Sequence, residues 1–226
     1  MGIETYSYAK DRKKRLSPHF AVGEFASLSG GKLYSDRILI DTDLIGILER
    51  LYDYLNCSRI VITSGYRTAA HDRAAGGDGK GRHTKGMAAD VNCWHLVKGK
   101  EERYHGAAIC CALQELGWNR GIGWIAGCAV HIDTRAYRYW FDEQKGCRSI
   151  GKDWYAYMAA KGHPVRRPGD LDGDGSVTST DARLALQAAV GKVGLDAEAA
   201  RAADLDRDGA VTSTDARQIL QKAVKK

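Results

Sequence analysis

Two histidines and one aspartate have the residue types and the spacing of a zinc site. His83 and Asp90 are separated by six residues, and His131 follows Asp90 after forty more. Zinc in proteins accepts imidazole nitrogen and carboxylate oxygen, and a catalytic site keeps one coordination position for water or substrate. Bound zinc lowers the pKa of its water to about 7, so that hydroxide forms near neutral pH. The three residues therefore predict a hydrolytic centre with one zinc ion on His83, Asp90 and His131.

The last of these ligands lies in a short alternating segment that brings a carboxylate to the same face. In a strand over residues 129–134, His131 and Asp133 point one way, and the intervening apolar residues point the other way, toward a core. The two polar residues are about 6.6 Å apart along such a strand. Asp133 is therefore a candidate general base or outer partner of the zinc site. The alternative is a structural carboxylate that holds Arg135.

A repeat with a period of 34 residues near the C-terminus carries two acidic loops. The first loop reads DLDGDGSVTSTD over 170–181, and the second reads DLDRDGAVTSTD over 204–215. Calcium takes oxygen ligands, and a loop of this kind supplies them from positions 1, 3, 5, 7, 9 and 12, with glycine at position 6 for a sharp turn. The pattern predicts two calcium ions. The predicted ligands are Asp170, Asp172, Asp174, Ser176, Thr178 and Asp181 for the first ion, and Asp204, Asp206, Asp208, Ala210, Thr212 and Asp215 for the second.

A mixed set of helices and strands must position these residues. Because the predicted elements lack a strict βαβ alternation, the predicted fold class is α+β. Apolar periodicity predicts helices over 41–55 and 101–116, strands over 59–63 and 129–134, and helices over 182–190 and 216–224 after the two acidic loops.

Composition also divides the chain into two domains. The segment GHPVRRPG over 162–169 is rich in proline and glycine, which is typical of a linker. We predict one domain over 1–160, a linker over 161–168 and a small all-α calcium-binding domain over 169–226. Residues 1–168 carry 26 basic and 18 acidic side chains, whereas the remaining residues carry 8 and 10. The first domain is therefore suited to an anionic partner, and by charge alone nucleic acid and the anionic bacterial wall both fit.

The remaining composition excludes several classes of protein. The 226 residues are 44% hydrophobic and 27% charged, which is ordinary for a globular protein. No apolar run reaches the roughly 18 residues of a membrane-spanning helix, and the polar stretch 1–15 lacks the apolar core of a secretory signal peptide. No nucleic-acid motif accompanies its basic residues, so no nucleic-acid partner is expected. The six cysteines form no CxxC pair and are expected to be mostly buried thiols.

Five segments of the first domain resemble one enzyme family. They read LSPHFAVGEFAS (16–27), ITSGYRTAAHD (62–72), RHTKGMAADV (82–91), GIG (121–123) and VHIDTR (130–135). Together they resemble the M15 family of zinc D-Ala-D-Ala carboxypeptidases, and more narrowly its small phage and prophage members. The resemblance implies a zinc peptidase that acts on the D-alanine-containing peptide stems of peptidoglycan, as a carboxypeptidase or an endopeptidase.

The same resemblance assigns a catalytic role to Arg67 and leaves the general base open. Arg67 matches the family arginine that steadies the substrate or the oxyanion, the alternative being a surface ion pair. Many members carry Asp or Glu three residues before the last zinc histidine, where this chain has Cys128. Asp133 is then the nearest candidate for the base, with His71 and Asp72 as weaker ones.

The acidic repeat resembles a dockerin, which is a pair of EF-hand-like calcium loop–helix units that binds a cohesin domain on a scaffoldin. Aspartate at position 12 of each loop and the lack of an entering helix before Asp170 carry this resemblance. In dockerins, loop positions 10 and 11 help to select the cohesin. The matching residues, identical in the two copies, are Ser179, Thr180, Ser213 and Thr214.

The combined expectation is an extracellular or cell-surface zinc metallopeptidase of peptidoglycan. Its dockerin would attach it to a cohesin-bearing scaffold, as in a cellulosome. Two alternatives stay open. One is a catalytically silent wall-binding domain carried by a dockerin, because Cys128 stands where many relatives have an acid. The other is a phage-type lysin whose calcium repeat is a structural or targeting module.

Overall fold

A computed structural model describes residues 2–97 and 99–225, and the chain forms two compact units. The first unit ends at Trp154 and the second begins at Tyr155. The segment predicted as a linker, 161–168, lies within the second unit, and the domain bounds drawn from composition stay predictions.

The first unit is built around a mixed β-sheet with α-helices, in agreement with the predicted α+β class. The strands of this unit are β1 (Ile3–Ser7), β2 (Leu28–Ser29), β3 (Lys32–Leu33), β4 (Arg37–Asp41), β5 (Arg59–Ser64), β6 (Ala88–Val97), β7 (Lys100–Arg103), β8 (Gly121–Ala126), β9 (Ala129–Asp133), β10 (Tyr139–Asp142) and β11 (Arg148–Ser149). The main sheet has the order β11-β10-β8-β9-β6-β5, and β7 also pairs with β6. Its pairings are antiparallel except for the parallel pair β10 and β8.

Eight α-helices and three short 3₁₀ helices complete the described part of the chain. The α-helices are α1 (Tyr8–Asp11), α2 (Thr42–Tyr54), α3 (Ala69–Ala74), α4 (Gly106–Glu115), α5 (Trp154–Ala160), α6 (Ser179–Ala189), α7 (Ala197–Ala203) and α8 (Ser213–Val224). The 3₁₀ helices cover Val22–Phe25, His83–Lys85 and Glu143–Lys145. Across residues 2–97 and 99–225, no helix has both the length and the apolar character needed to cross a membrane.

The core of the first unit follows the predicted periodicity. Helix α2 covers nearly all of the predicted helix over 41–55, and it begins after Asp41, whose side chain accepts a hydrogen bond from the backbone N–H of Asp43 at 3.0 Å. Its leucines and isoleucines are buried, and α2 and α4 pack against the central strands. On β9, Val130 and Ile132 are fully buried. The site-bearing residues of the same strand consequently belong to the other face of the sheet.

The predicted helix over 101–116 is wrong in its first part. Residues Lys100–Arg103 form β7, which pairs with the end of β6 and exposes all four side chains. The helix itself begins at Gly106, after His105, whose Nδ1 accepts a hydrogen bond from the backbone N–H of Ala107 at 3.2 Å. Charged residues such as these have good helix propensity, but the long strand β6 offers them a pairing partner and tertiary context prevails.

The second unit is a small helical body around the acidic repeat. Its helices α6 and α8 begin three residues before the predicted starts, because Thr178 and Thr212 cap them. Residues 161–178, all of them described, contain no helix, whereas α7 precedes the second loop. The buried apolar cluster of this unit consists of Leu171, Val177, Ala182, Ala185, Ala203, Ala216 and Ile219.

Candidate zinc and calcium sites

Strand pairing places two of the predicted zinc ligands side by side. Asp90 on β6 is the direct partner of His131 on β9, and directly paired residues of neighbouring strands share one face of a sheet. His83 lies in the 3₁₀ helix that precedes β6, and Gly86 ends this helix in the left-handed conformation with φ of 71°. All three predicted ligands are buried. The chain therefore folds back between His83 and Asp90 so that three ligating atoms converge.

The three ligating atoms form a nearly equilateral triangle. His83 Nε2 lies 3.2 Å from Asp90 Oδ1 and 3.2 Å from His131 Nδ1, and the third edge, from His131 Nδ1 to Asp90 Oδ1, is 2.9 Å. A tetrahedral zinc ion with bonds of about 2.0–2.1 Å separates its ligand atoms by roughly 3.3 Å. The triangle therefore has the size and the donor chemistry that fit one zinc ion with an open fourth position.

The outer nitrogen of each histidine is held by an oxygen atom. His83 Nδ1 is 2.7 Å from the carbonyl oxygen of Gly65, and His131 Nε2 is 3.1 Å from Asp133 Oδ2. When each outer nitrogen donates its proton, His83 Nε2 and His131 Nδ1 present lone pairs to a metal. Burial opposes a charge on His131, but its hydrogen bonds with Asp133 and Asp90 raise its pKa to about 9. A bound divalent cation would take the place of that proton.

The segment SGYR fixes the carboxylate of the metal triangle. Arg67 Nε donates to Ser64 Oγ at 2.7 Å, and Arg67 Nη2 donates to Asp90 Oδ2 at 2.9 Å, so Asp90 keeps its other oxygen toward the histidines. The Arg67 side chain is only 19% exposed, so its ion pair with Asp90 is largely buried rather than on the surface. Gly65 allows the close approach of this segment to Phe25, since a Cβ there would lie 2.6 Å from the Phe25 Cα.

Asp133 is engaged on both of its oxygens. It is fully buried, Arg135 Nε donates to its Oδ1 at 2.7 Å, and its Oδ2 receives Arg135 Nη2 at 2.5 Å as well as the imidazole of His131. Gly121 faces it on β8, where any Cβ would collide with the carboxylate. Burial opposes its charge, but the hydrogen bonds from His131 and Arg135 hold the pKa of Asp133 well below its usual range. These contacts favour a positioning role, in which Asp133 holds both Arg135 and the zinc-binding histidine, over the role of a base.

We predict that Asp133→Asn weakens zinc binding by about 10- to 100-fold, the usual cost of losing an outer partner of a metal-bound histidine. The amide cannot accept from both His131 and Arg135 as the carboxylate does. The dissociation constant is measured by competition with a chromophoric chelator. Asp53→Asn, an exposed change at the end of α2, is the matched control. Equal affinities in the two variants would contradict the prediction.

The weaker candidates for a base are occupied elsewhere. His71 is buried, its Nδ1 lies 2.8 Å from Ser27 Oγ, and its ring stacks on Tyr34 with centroids 4.2 Å apart. Asp72 is buried and accepts the backbone N–H of Gly79 at 2.9 Å. Cys128 lies in the turn that joins β8 to β9. These contacts favour a structural role for His71 and Asp72 over the role of a general base.

One carboxylate that acts electrostatically on the site was missed by the sequence analysis. Glu143 begins the 3₁₀ helix after β10 and is half-buried. Burial raises its pKa above the ordinary value, and the charges of His131, Asp90, His83 and Arg67 also act on it. The alternation of Tyr139, Phe141 and Glu143 could have indicated a strand, but no sequence signal shows that this strand pairs beside the GIG segment.

The two acidic loops each gather three aspartates. Asp170, Asp172 and Asp181 place one oxygen each within 4.8 Å of one another, and Asp204, Asp206 and Asp215 do the same in the second loop. The residues at position 12 are fully buried, and in the first loop the Asp181 carboxylate accepts the backbone N–H groups of Leu171 at 2.7 Å and Thr178 at 2.8 Å. Burial, with repulsion from neighbouring aspartates, raises the pKa of Asp170 and of Asp204.

The other predicted calcium ligands lie in the same loops with local partners. Asp174 and Asp208 accept the backbone N–H groups of Ser176 and Ala210 at 2.7 and 2.9 Å, and they stand outside the two three-aspartate groups. The hydroxyls of Thr178 and Thr212 accept from Thr180 and Thr214 as helix caps. The predicted cohesin-selecting residues are exposed in the first turns of α6 and α8, and they are Ser179, Thr180, Ser213 and Thr214.

Comparison with known families agrees with this arrangement of a peptidase followed by a dockerin. The family described as Peptidase M15 matches residues 19–133, and the Dockerin type I domain matches residues 168–224. The chain belongs to the peptidase M15 family, and it carries a type I dockerin domain on the C-terminal side of the peptidase domain. The predicted fusion is therefore confirmed. No curated protein and no solved structure is similar enough to the chain to count as a match.

Family membership establishes the coarse chemistry and partners. An M15 domain supports a metallopeptidase, and members of this family typically use zinc, for which the His83, Asp90 and His131 group has suitable donors. A dockerin domain implies calcium and binds cohesin, which attaches its carrier to a cellulosome-like scaffold. Proteins with dockerins are typically extracellular or cell-surface components of such assemblies.

Proposed function

We propose that this protein is a zinc peptidase that hydrolyses peptide bonds next to D-alanine in the stems of peptidoglycan. The observation that carries the proposal is the triangle of His83 Nε2, Asp90 Oδ1 and His131 Nδ1, with edges of 2.9–3.2 Å. The excess of basic residues in 1–168 suits a polyanionic wall. We further propose that one zinc ion occupies the triangle, and that two calcium ions occupy the acidic loops.

Each part of the site has a defined task in this reaction. Bound zinc would polarise the scissile carbonyl and provide hydroxide near neutral pH. Asp133 holds the ring of His131, and Gly65 holds that of His83. Arg67 Nη1 lies 3.7 Å from Asp72 Oδ1, beyond hydrogen-bond distance, so Arg67 retains donor capacity for an oxyanion or a terminal carboxylate.

We predict that Arg67→Met lowers kcat/KM by about 10²- to 10³-fold at saturating zinc, the usual cost of losing one donor to a developing oxyanion. Because Arg67 also holds Asp90, the variant is assayed over a zinc titration. A loss that persists at saturating zinc supports contact with the substrate. A loss that excess zinc restores would contradict it and would leave Arg67 with the positioning of Asp90 alone. Arg37→Met, at an exposed arginine of β4, is the control.

The proposed function is tested by digestion of purified peptidoglycan and of a synthetic stem peptide that ends in D-Ala-D-Ala. The zinc-loaded full chain is used, a stem ending in L-Ala-L-Ala is the stereochemical control, and products are identified by mass spectrometry. Free D-alanine indicates a carboxypeptidase, whereas cleavage inside a cross-link indicates an endopeptidase. Absence of any product, with zinc bound stoichiometrically, would contradict the proposal and favour a silent wall-binding domain.

A further inference from the structure

We propose that Glu143 is the general base of this peptidase site, an inference that rests on the proposed function. The proposal answers a chemical need. Attack of water on an amide requires an acceptor for the proton of the water and a donor for the leaving amine. Cys128, three residues before His131, supplies no carboxylate, and Asp133 has both oxygens bound to Arg135 and His131. Another carboxylate on the same face is needed.

The sheet register defines a row of residues that all face the zinc triangle. Asp90 pairs with His131, His131 pairs with Gly123 of β8, and Gly123 pairs with Phe141 of β10. Direct partners in neighbouring strands share a face, so the row continues from the metal ligands to Phe141. The side chains at the two ends of this part of the row also come close together, since the ring centroids of Phe141 and His131 are 5.6 Å apart.

Glu143 follows Phe141 by two residues, which is one period of a strand. Strand β10 ends at Asp142, and the extended backbone of Asp142, with φ of −109° and ψ of 113°, carries the alternation to Glu143. Glu143 therefore belongs to the face of Phe141 and His131. Gly123, on β8 between β9 and β10, makes room on that face for the Phe141 ring, since a Cβ there would collide with the ring. The two-residue rise displaces Glu143 about 6.6 Å along the sheet from the row of metal ligands.

The Glu143 carboxylate also differs from the other carboxylates of the site in its partners. Asp90, Asp72 and Asp133 all accept hydrogen bonds from side chains or backbone. Within residues 2–97 and 99–225, no hydrogen bond or ion pair engages the side chain of Glu143. A base needs such a vacant lone pair for water. Partial burial raises its pKa, which brings the group closer to the range in which it exchanges protons near neutral pH.

The step assigned to Glu143 is balanced in atoms and charge. One carboxylate oxygen takes a proton from the attacking water while the water oxygen bonds to the scissile carbonyl carbon. The protonated Glu143 then gives this proton to the departing nitrogen as the C–N bond breaks. The products are a carboxylic acid and an amine, and Glu143 returns to its carboxylate form without any external oxidant or reductant.

The test compares Glu143→Gln with Glu115→Gln, an exposed glutamate at the end of α4, in the zinc-loaded full chain. For Glu143→Gln we expect kcat to fall by about 10²- to 10⁴-fold, the usual range for a general base. KM, bound zinc and melting temperature should stay close to wild type. The variant Glu143→Asp, which keeps the acid but shortens its reach, should recover part of the lost kcat and also covers the case in which the amide variant folds poorly.

A pH profile separates a base from a purely structural glutamate. Because a base acts in its ionised form, kcat/KM of the wild type should rise with pH through the raised pKa of Glu143. Glu143→Gln should lose this limb, and zinc content measured at every pH distinguishes it from metal loss. Wild-type cleavage with an unchanged kcat in Glu143→Gln, or a change in KM or zinc content alone, would overturn the base and leave the peptidase standing. A wild type that cleaves no stem would overturn both.

Discussion

Replacement of His83 by alanine is expected to remove zinc from the peptidase site and to lower kcat/KM by roughly 10³-fold or more, which corresponds to several kcal/mol of lost transition-state stabilisation. The variant leaves two ligating atoms, Asp90 Oδ1 and His131 Nδ1, where three formed a closed triangle. It also leaves Gly65 without the imidazole that its carbonyl holds. The imidazole of His71 is not free to replace the lost nitrogen, since His71 is bound to Ser27 and stacked on Tyr34.

The measurement combines zinc content by elemental analysis with the stem-peptide assay. His163→Ala, a histidine of the second unit, is the matched control and should retain both zinc and activity. Circular dichroism verifies that the variant is folded. Stoichiometric zinc in His83→Ala would contradict the ligand assignment, and full activity without zinc would contradict the proposed reaction.

The grouping of the three candidate zinc ligands, which the structure brings together, could be predicted because the donor types are visible in the local sequence. The donors at 83, 90 and 131 and the alternation over 129–134 are visible in one chain. What alternation cannot give is the strand order. The pairing of Asp90 with His131, and of Gly123 with Phe141, joins segments far apart in sequence. For this reason the sequence does not indicate what the GIG segment does in the fold. In the structure, Gly121 leaves room for the carboxylate of Asp133, and Gly123 leaves room for the ring of Phe141.

The errors of the sequence analysis arise where tertiary pairing outweighs local pattern. The segment Lys100–Arg103 was predicted as the start of a helix, but β6 is ten residues long and pairs with it as a hairpin. Glu143 was missed because β10 is short and pairs in parallel with β8, a contact that no local pattern indicates. Register and edge pairing of this kind depend on the whole sheet rather than on propensity.

The helices of the second unit show a related limit. The apolar periodicity over 216–224 puts Ile219, Leu220, Ala223 and Val224 on one face of α8 as candidates for burial, yet Leu220 is 45% exposed and Val224 is 73% exposed. The buried positions are occupied mainly by alanines, such as Ala182 and Ala185, together with Ile219. A hydrophobic pattern selects the largest apolar side chains, whereas two closely packed helices with little space between them bury small ones.

Removal of calcium is expected to unfold the second unit while the first unit stays folded. The apolar cluster of the second unit holds four alanines among its seven members, so it provides little hydrophobic stabilisation. Without a cation, Asp170 and Asp204 are partly buried carboxylates beside other aspartates, which is why their pKa values are raised. When the free calcium concentration is about a thousandfold above the dissociation constant of each site, each bound ion would contribute about 4 kcal/mol to the free energy of unfolding.

The measurement is a calcium titration of chelator-treated protein that has been reloaded with zinc, followed by far-ultraviolet circular dichroism and by binding to a cohesin panel. Helical signal and cohesin binding should rise together with calcium, whereas hydrolysis of the free stem peptide should not change.

The double variant Asp170→Ala, Asp204→Ala should behave as calcium-free protein at any calcium concentration. Glu198→Gln, which is exposed in α7 outside the loops, is the control and should behave as wild type. A helical signal that is independent of calcium would contradict the expectation. Calcium-dependent folding without binding to any cohesin would instead favour a structural or targeting module, because the exposed residues at 179, 180, 213 and 214 would then lack a partner on a scaffold.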